Sequence, residues 1–359
     1  MGTSGTREPW TPRHFLLDGR IGVRNRRAYV RAAIGTVAWL FGPLLLARLL
    51  GRIGQRRAVH TVLRCWARLL AWHLRLTVDL GGLEHIEPET AYIVTPLHEG
   101  LADAIVLLHL PLDLRFVVRD ELFEWPVFGG LLRDTAQVCI CPEQGALSYL
   151  QLRRQAPAVL AGGESLVVFP QGSILGIETD FKAGPFALAL ALDRPILPVV
   201  LTGSHRVWEH PFSPRLRYGQ RVSLRVFPPI FPSAYRSAGA EVLRADVQRR
   251  LKTRALDGTM AAPRRFIPSR DGYWDGFAFS IDPAFSALHD EIEAHRARVR
   301  SSRQSQPDVT SVSDEHEPAR RAVHPPGGDP GVPGEPQRAA ARPNEGDACT
   351  RTLDGLRRS

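Results

Sequence analysis

From residue 76 onward, short apolar runs alternate with stretches of helical length, and few folds accommodate that alternation. Runs of strand length lie at 76–80, 91–95, 114–118, 137–141, 165–169, 195–201 and 221–227. Helix-length segments fall between them around 100–110, 125–133, 144–161 and 184–192. The expected fold class is therefore α/β, a mixed and largely parallel sheet covered by helices. No internal repeat is apparent that would indicate a solenoid instead.

The chain before residue 76 reads differently. Residues 1–31 carry Arg7, Arg13, Arg20, Arg24, Arg26, Arg27 and Arg31 against Glu8 and Asp18. An apolar run follows at 32–50, interrupted only by Arg48 and softened by Gly35, Gly42 and Pro43. At about 19 residues it is barely long enough to span a bilayer, and the basic segment before it would stay cytoplasmic. It is no ordinary signal peptide, because the apolar region starts late and no small-residue cleavage site is evident. Residues 56–76 place Val59, Val62, Leu63, Trp66, Leu69, Leu70, His73 and Leu74 at spacings of three and four, with Arg57, Arg64, Arg68 and Arg75 between them. Such a helix can lie in the membrane interface or pack on the domain, and the pattern allows both.

Beyond 230, helices are expected around 240–254 and 284–299, flanking the aromatic segment DGYWDGFAF at 271–279. That segment can cap the fold, cover an acyl channel or stand alone as a packing element. The stretch beyond 300, rich in Pro, Gly, Ser and charge, cannot bury a core and reads as disordered. The expected organisation is a basic segment at 1–31, membrane-associated helices at 32–75, an α/β domain at 76–230, a helical extension at 231–300 and a tail at 301–359.

A formal charge of +9 and a pI near 10.0 imply an anionic partner. The basic residues cluster around apolar helices and no nucleic-acid recognition module is present, so the expected partner is an acidic membrane surface. Only Lys182 and Lys252 are lysines, a bias toward arginine that a high-GC genome explains without function. The cysteines, Cys65, Cys139, Cys141 and Cys349, show neither zinc spacing nor a dense framework. Cys139 and Cys141 read as core thiols of one strand in a reducing compartment, and no metal site is expected.

Chemistry concentrates in residues 91–108, AYIVTPLHEGLADAIVLL. A β-favouring opening ends at Pro96, and 101–108 has the apolar density of a buried helix. Between them stand His98 and Asp103. On one helix, residues five apart point roughly 140° away from each other, so contact requires His98 to precede the helix. Pro96 biases Thr95 away from helical geometry, Gly100 permits a tight approach, and the helix dipole favours Asp103 in the first turn. The carboxylate can then hold one ring nitrogen of His98 and leave the other as a base. In a chain with 12 histidines such spacing arises readily by chance, so the pair does not decide function alone.

Two further stretches resemble site-building loops. After the strand ESLVVF, Pro170, Gln171, Gly172 and Ser173 would expose backbone donors and a polar side chain at the sheet edge, as a plain turn also would. In FKAGPFALALAL, Lys182 and Gly184 precede an alanine-rich helix leading to the strand PILPVVLTG.

Taken in order across about residues 56–230, these stretches resemble the glycerolipid acyltransferase family that includes lysophosphatidate acyltransferase. GLEHI with AYIVTPLHEGLAD is similar to its HxxxxD block, and RFVVRDELFEWPVFGGLLR to the segment after it, with Arg119 as the basic residue. VVFPQGS stands where the family has Phe-Pro-Glu-Gly, FKAGPFALA where it has Phe-Lys-x-Gly, and ILPVVLTG where it has a Val-Pro-Val strand. Departures fall at Leu97 in place of Asn, at Cys141 and Pro142 in place of Asp-Arg, at Gln171 in place of Glu, and at Ser173 and Ile174 in place of Thr-Arg.

The resemblance implies acyl transfer from acyl-CoA or acyl-ACP, as co-substrate and with no further cofactor, to the hydroxyl of lysophosphatidate or a related lysophospholipid. It implies membrane lipids as partners, an acyl carrier protein if that is the donor, no nucleic acid, and a place at the cytoplasmic face of the cell membrane. His98 would act as base and Asp103 as its orienting partner. Gln171, Gly172 and Ser173 would serve the oxyanion or position the acceptor. With two family arginines absent, Arg119, Arg133 and Lys182 are the candidates for an acceptor phosphate. No base stands beside Cys139, Cys141 or Ser173, which argues against an acyl-enzyme. Two alternatives accompany this reading: an acceptor without a phosphomonoester, such as a glycolipid or aminolipid, and a membrane lipid-binding protein without turnover.

Overall fold

Each strand-length apolar run after residue 76 becomes a strand of one sheet in the computed structural model, which describes residues 26–125, 128–209, 216–271 and 279–304. The strands are β1 (Thr77–Gly81), β2 (Ile93–Pro96), β3 (Leu114–Arg119), β4 (Val138–Ile140), β5 (Ser165–Val167), β6 (Ile196–Thr202) and β7 (Arg221–Val226). Their order is β1-β7-β6-β2-β5-β3-β4. Neighbours pair in parallel except β6 and β7, so the sheet is mixed and largely parallel, as the alternation predicts.

Helices cover both faces. In chain order they are α1 (Arg26–Arg52), α2 (Arg56–His73), α3 (Ala102–Leu107), α4 (Asp120–Phe123), α5 (Phe128–Asp134), α6 (Ala146–Ala161), α7 (Gly184–Leu192), α8 (His205–Trp208), α9 (Pro232–Tyr235), α10 (Gly239–Leu256), α11 (Pro268–Asp271) and α12 (Ser286–Gln304). Successive strand residues point to opposite faces. Tyr92, Val94, Leu197 and Val199 accordingly pack with α1, α2 and α3, whereas Ile93, Leu166, Ile196 and Val200 pack with α6, α7 and α10. Cys139 and Cys141 are both buried; Cys141 is a thiol as expected, whereas Cys139 is disulfide-bonded, which corrects its reading as a thiol.

The N-terminal helices bear on two questions that the sequence leaves open. Among the described residues no helix is long and apolar enough to cross a membrane, the one that contains the run at 32–50 included. Glycines dilute it, and Arg48 is drawn into an ion pair with Asp134, Nε to Oδ2 at 2.6 Å, with Arg52 adding a contact at 3.1 Å. Gly51 lets α1 dock there, since a Cβ would stand 2.0 Å from the Asp134 carbonyl oxygen. The opposite side of α1 exposes Ile34, Val37, Leu45, Leu46 and Leu49, and Ile53 just past its end is exposed too. Of the two readings of 56–76, packing on the domain is the one observed. Val59, Leu63, Trp66, Ala67 and Leu70 of α2 are buried in the core, leaving Leu69 and Trp72 at the surface. His60 contacts Glu164 at 2.5 Å, and Arg115 donates to the same carboxylate at 2.7 and 2.9 Å. Burial pushes Glu164 up, but these bonds outweigh it and hold the carboxyl below its ordinary range.

On the C-terminal side, α10 and α12 match the expected helices. Lys252 on α10 donates to Asp282 at 2.7 Å and to the Thr179 carbonyl at 2.9 Å, where Thr179 also bridges antiparallel to Ile281. Residues 272–278 of the aromatic segment, most of the basic segment at 1–31 and all but the first residues of the tail lie outside the described residues.

Candidate active site

The parallel strands β6, β2, β5, β3 and β4 deliver their C-terminal ends to one edge of the sheet, where loops of α/β proteins hold ligands. Val94 pairs with Val167, so four residues further on His98 leaves β2 level with Gln171 leaving β5. The His98 backbone N–H donates to Gln171 Oε1 at 2.7 Å.

His98 lies ahead of α3, as its spacing from Asp103 demands. Its Nδ1 meets Asp103 Oδ2 at 2.6 Å; because a carboxylate only accepts, Nδ1 carries the proton and Nε2 is left as an acceptor. The imidazole stacks on Phe169, with centroids 3.9 Å apart and planes 20° apart. Asp103 is 1% exposed, whereas the His98 side chain is 23% exposed, so the carboxylate sits behind and the imidazole at the surface. Asp103 also accepts from the Glu99 N–H at 2.8 Å, from the Gly100 N–H at 3.1 Å and from the Ser204 hydroxyl at the end of β6. Four donors thus set its orientation. Gly100 is needed for close approach, since a Cβ there would stand 2.6 Å from the Trp208 carbonyl oxygen.

The other predicted residues divide. Gln171 is buried and bonded in both directions, its Oε1 accepting from His98 and its Nε2 donating to the Gly176 carbonyl at 2.7 Å. It is a strut behind the histidine, and its two bonds explain why an amide suits this position and a carboxylate does not. Replacing Gln171 with Glu would turn a carboxylate oxygen toward the Gly176 carbonyl. The expected result is a loss of about 1–3 kcal/mol of stability, read by urea unfolding, together with slower turnover. Gly172 has φ +65° and donates its N–H to the Phe169 carbonyl at 3.1 Å, so its amide closes the turn instead of facing an oxyanion. Ser173 is partly exposed, and its hydroxyl has no hydrogen-bond partner among the described residues.

Lys182 lies over this turn, for a Cβ on Gly172 would meet its Cε at 3.0 Å and its Nζ at 3.1 Å. Arg119 ends β3 level with Pro170, by the Phe116–Val167 register, and contacts Glu121 at 3.2 Å. Lys182 and Arg119 therefore stand at the edge that holds His98. Arg133 donates to the Phe123 carbonyl at 2.5 Å, which ties it to the α4–α5 connection.

Residues 77–202 match the family model for acyltransferases. Over 190 residues the chain is 28% identical to a 1-acyl-sn-glycerol-3-phosphate acyltransferase of Cocos nucifera, covering 52% of this chain and 60% of that protein. The protein of the same name from Pseudomonas aeruginosa is 28% identical over 171 residues, covering 46% and 63%. Over this part of its length the chain is similar to the glycerolipid acyltransferases. It spans less than two thirds of the length of these curated relatives. Among solved structures, the 1-acyl-sn-glycerophosphate (LPA) acyltransferase PlsC from Thermotoga maritima is similar at 21% identity with a TM-score of 0.49, covering 63% of this chain and 95% of that one.

At this edge of the sheet, sequence reasoning missed Phe169, Glu99 and Ser204. Phe169 stood in the VVFPQGS block and Glu99 inside the HxxxxD block, both in view as sequence. Ser204 follows the LPVVLTG strand just past the matched region, and only the pairing of β6 with β2 brings it to Asp103.

Proposed function

We propose that the protein is a membrane-associated O-acyltransferase that moves a fatty acyl group from an acyl-CoA or acyl-ACP thioester to the hydroxyl of lysophosphatidate or a close relative. The observation that carries this reading is the 2.6 Å contact between His98 Nδ1 and the buried Asp103, which leaves Nε2 at the open edge of the sheet. Nε2 takes the proton of the acceptor hydroxyl as its oxygen attacks the thioester carbonyl. Asp103 stabilises the imidazolium, and collapse of the tetrahedral intermediate expels the thiolate, which takes the proton back. No covalent acyl-enzyme is required. Lys182 and Arg119, at the same edge, are the cations suited to an acceptor phosphate. The names of the relatives support that acceptor.

For the membrane, the support is the exposed apolar side of α1, with Ile34, Val37, Leu45, Leu46 and Leu49 on a helix that also carries exposed Arg26 and Arg27. This composition suits a helix lying in an anionic interface at the cytoplasmic face. A second acceptor reading draws on Pro142 and Ile174, which stand where the family has arginines and have no side-chain donor. Under it the acceptor carries no phosphomonoester.

A competition assay separates the two. Full-length protein in mixed micelles, given an acyl thioester with equal amounts of lysophosphatidate and a neutral lysoglycolipid, is expected to acylate lysophosphatidate preferentially. Arg119→Ala should then raise the KM for lysophosphatidate. Preferential acylation of the glycolipid would overturn the phosphate reading, and acylation of neither would overturn the enzyme.

A further inference from the structure

We propose that Glu99 is a positioning residue for His98 and Asp103, fastening the turn that carries them to the end of β6 and, through Arg264, to the C-terminal segment. The proposal rests on the reading of His98 and Asp103 as the catalytic pair.

Glu99 follows His98 in sequence, yet its side chain makes a separate set of bonds. It is 3% exposed, and its carboxylate accepts from the Gly203 N–H at 2.7 Å, from His205 Nδ1 at 2.9 Å and from the Arg264 N–H at 2.9 Å. Between Gly203 and His205 lies Ser204, whose hydroxyl donates to Asp103. The exit of β6 therefore grips both carboxylates of the HxxxxD turn, Asp103 by its middle residue and Glu99 by the residues on either side.

Arg264 closes the arrangement. Its side chain donates to the Leu175 carbonyl, to Glu209 at 2.8 Å and to Asp271 at 2.8 Å, and its carbonyl accepts from the Ile177 N–H at 3.0 Å. Between Leu175 and Ile177 lies Gly176, whose carbonyl takes the Gln171 amide, and Gln171 in turn takes the His98 N–H. The backbone of His98 and the side chain of its neighbour Glu99 are thus held from two directions by one block that includes Arg264. The C-terminal segment belongs to the catalytic unit through these bonds. Burial, with Asp103 nearby, pushes the Glu99 carboxyl up despite its partner His205, so the group is costly to place here for packing alone.

Glu99→Gln tests this without changing volume. An amide presents one acceptor oxygen, so its NH2 must oppose the N–H of either Gly203 or Arg264. The experiment compares full-length wild type, Glu99→Gln, His205→Ala and His98→Ala by steady-state kinetics, thermal melting and proton NMR of the downfield Nδ1–H that His98 shares with Asp103. In Glu99→Gln, kcat should fall about 10- to 100-fold. The KM for the acyl donor should stay within about twofold of wild type. The downfield resonance, identified by its absence from His98→Ala, should shift or broaden. His205→Ala removes one donor of three and should show the same changes more weakly.

A folded Glu99→Gln protein with wild-type kcat and an unmoved resonance would overturn the proposal. If that variant does not fold, His205→Ala decides, and unchanged kcat and resonance there would overturn it equally. Full activity in His98→Ala would overturn the catalytic reading instead, and the resonance would still report whether Glu99 holds the pair.

Discussion

Replacing His98 with alanine is expected to lower acyl transfer by about a hundredfold to ten-thousandfold, the usual contribution of a general base, without unfolding the protein. The imidazole sits at the rim, stacked on Phe169, so its removal leaves the core intact. Asp103→Asn is expected to be as severe by another route. With four donors converging on the carboxylate, an amide nitrogen would oppose at least one N–H or O–H. If Asn turned its NH2 toward His98, it would reverse the tautomer and place the proton on Nε2, where the base is needed. Asp103→Asn should therefore also lose stability, whereas His98→Ala should not. Thiol release from the acyl thioester, followed with the melting temperature of each purified variant, checks both. Near-normal turnover in folded His98→Ala would remove the general-base mechanism.

Lys252→Met is expected to destabilise the fold by about 3–5 kcal/mol, the cost of leaving one member of a buried pair without its partner. Lys252 and Asp282 are both buried, and the ammonium also holds the Thr179 carbonyl and lies 5.6 Å from the ring centroids of Phe181 and Phe285. Burial pulls the lysine below its ordinary range. It would push Asp282 up, but the lysine bond outweighs this and holds that carboxyl low. Removing the cation leaves a carboxylate away from water and releases the segment around Ile281 from Thr179. Urea unfolding reads the loss, and limited proteolysis near residue 282 should accelerate. The double change Lys252→Met with Asp282→Leu should recover much of the stability, since an apolar pair has no charge to desolvate. A single variant within about 1 kcal/mol of wild type would show that the pair contributes little.

The strand and helix pattern after residue 76 was legible in the sequence because alternation and segment length are local properties. Each apolar run became a strand, and α6, α7 and α10 begin and end within a few residues of expectation. The His98–Asp103 contact was legible for the same reason, as five residues and a proline allow little freedom. The N-terminal helices were not. The periodicity of α2 records that one face is apolar, but a lipid surface and a protein core place the same demand on it. Only the position of the sheet determined that the core covers it. Arg48 interrupts an apolar run in sequence, and its partner Asp134 is 86 residues away.

The roles of individual site residues depended still more on tertiary contacts. Gln171 and Gly172 were placed at the right edge by sequence, but Gly176 and Phe169 engage them as a strut and a turn, which their residue types alone do not reveal. Glu99 carries no signal of its own in the sequence, because its partners come from the end of β6 and from Arg264. By itself the sequence determined the α/β class and the contact of His98 with Asp103, since each follows from local pattern and short-range geometry. The tertiary structure decided which apolar faces are buried and which distant donors hold Asp103 and Glu99, because Gly203, Ser204, His205 and Arg264 lie 101 to 165 residues away in the chain and meet these carboxylates only once the sheet has assembled.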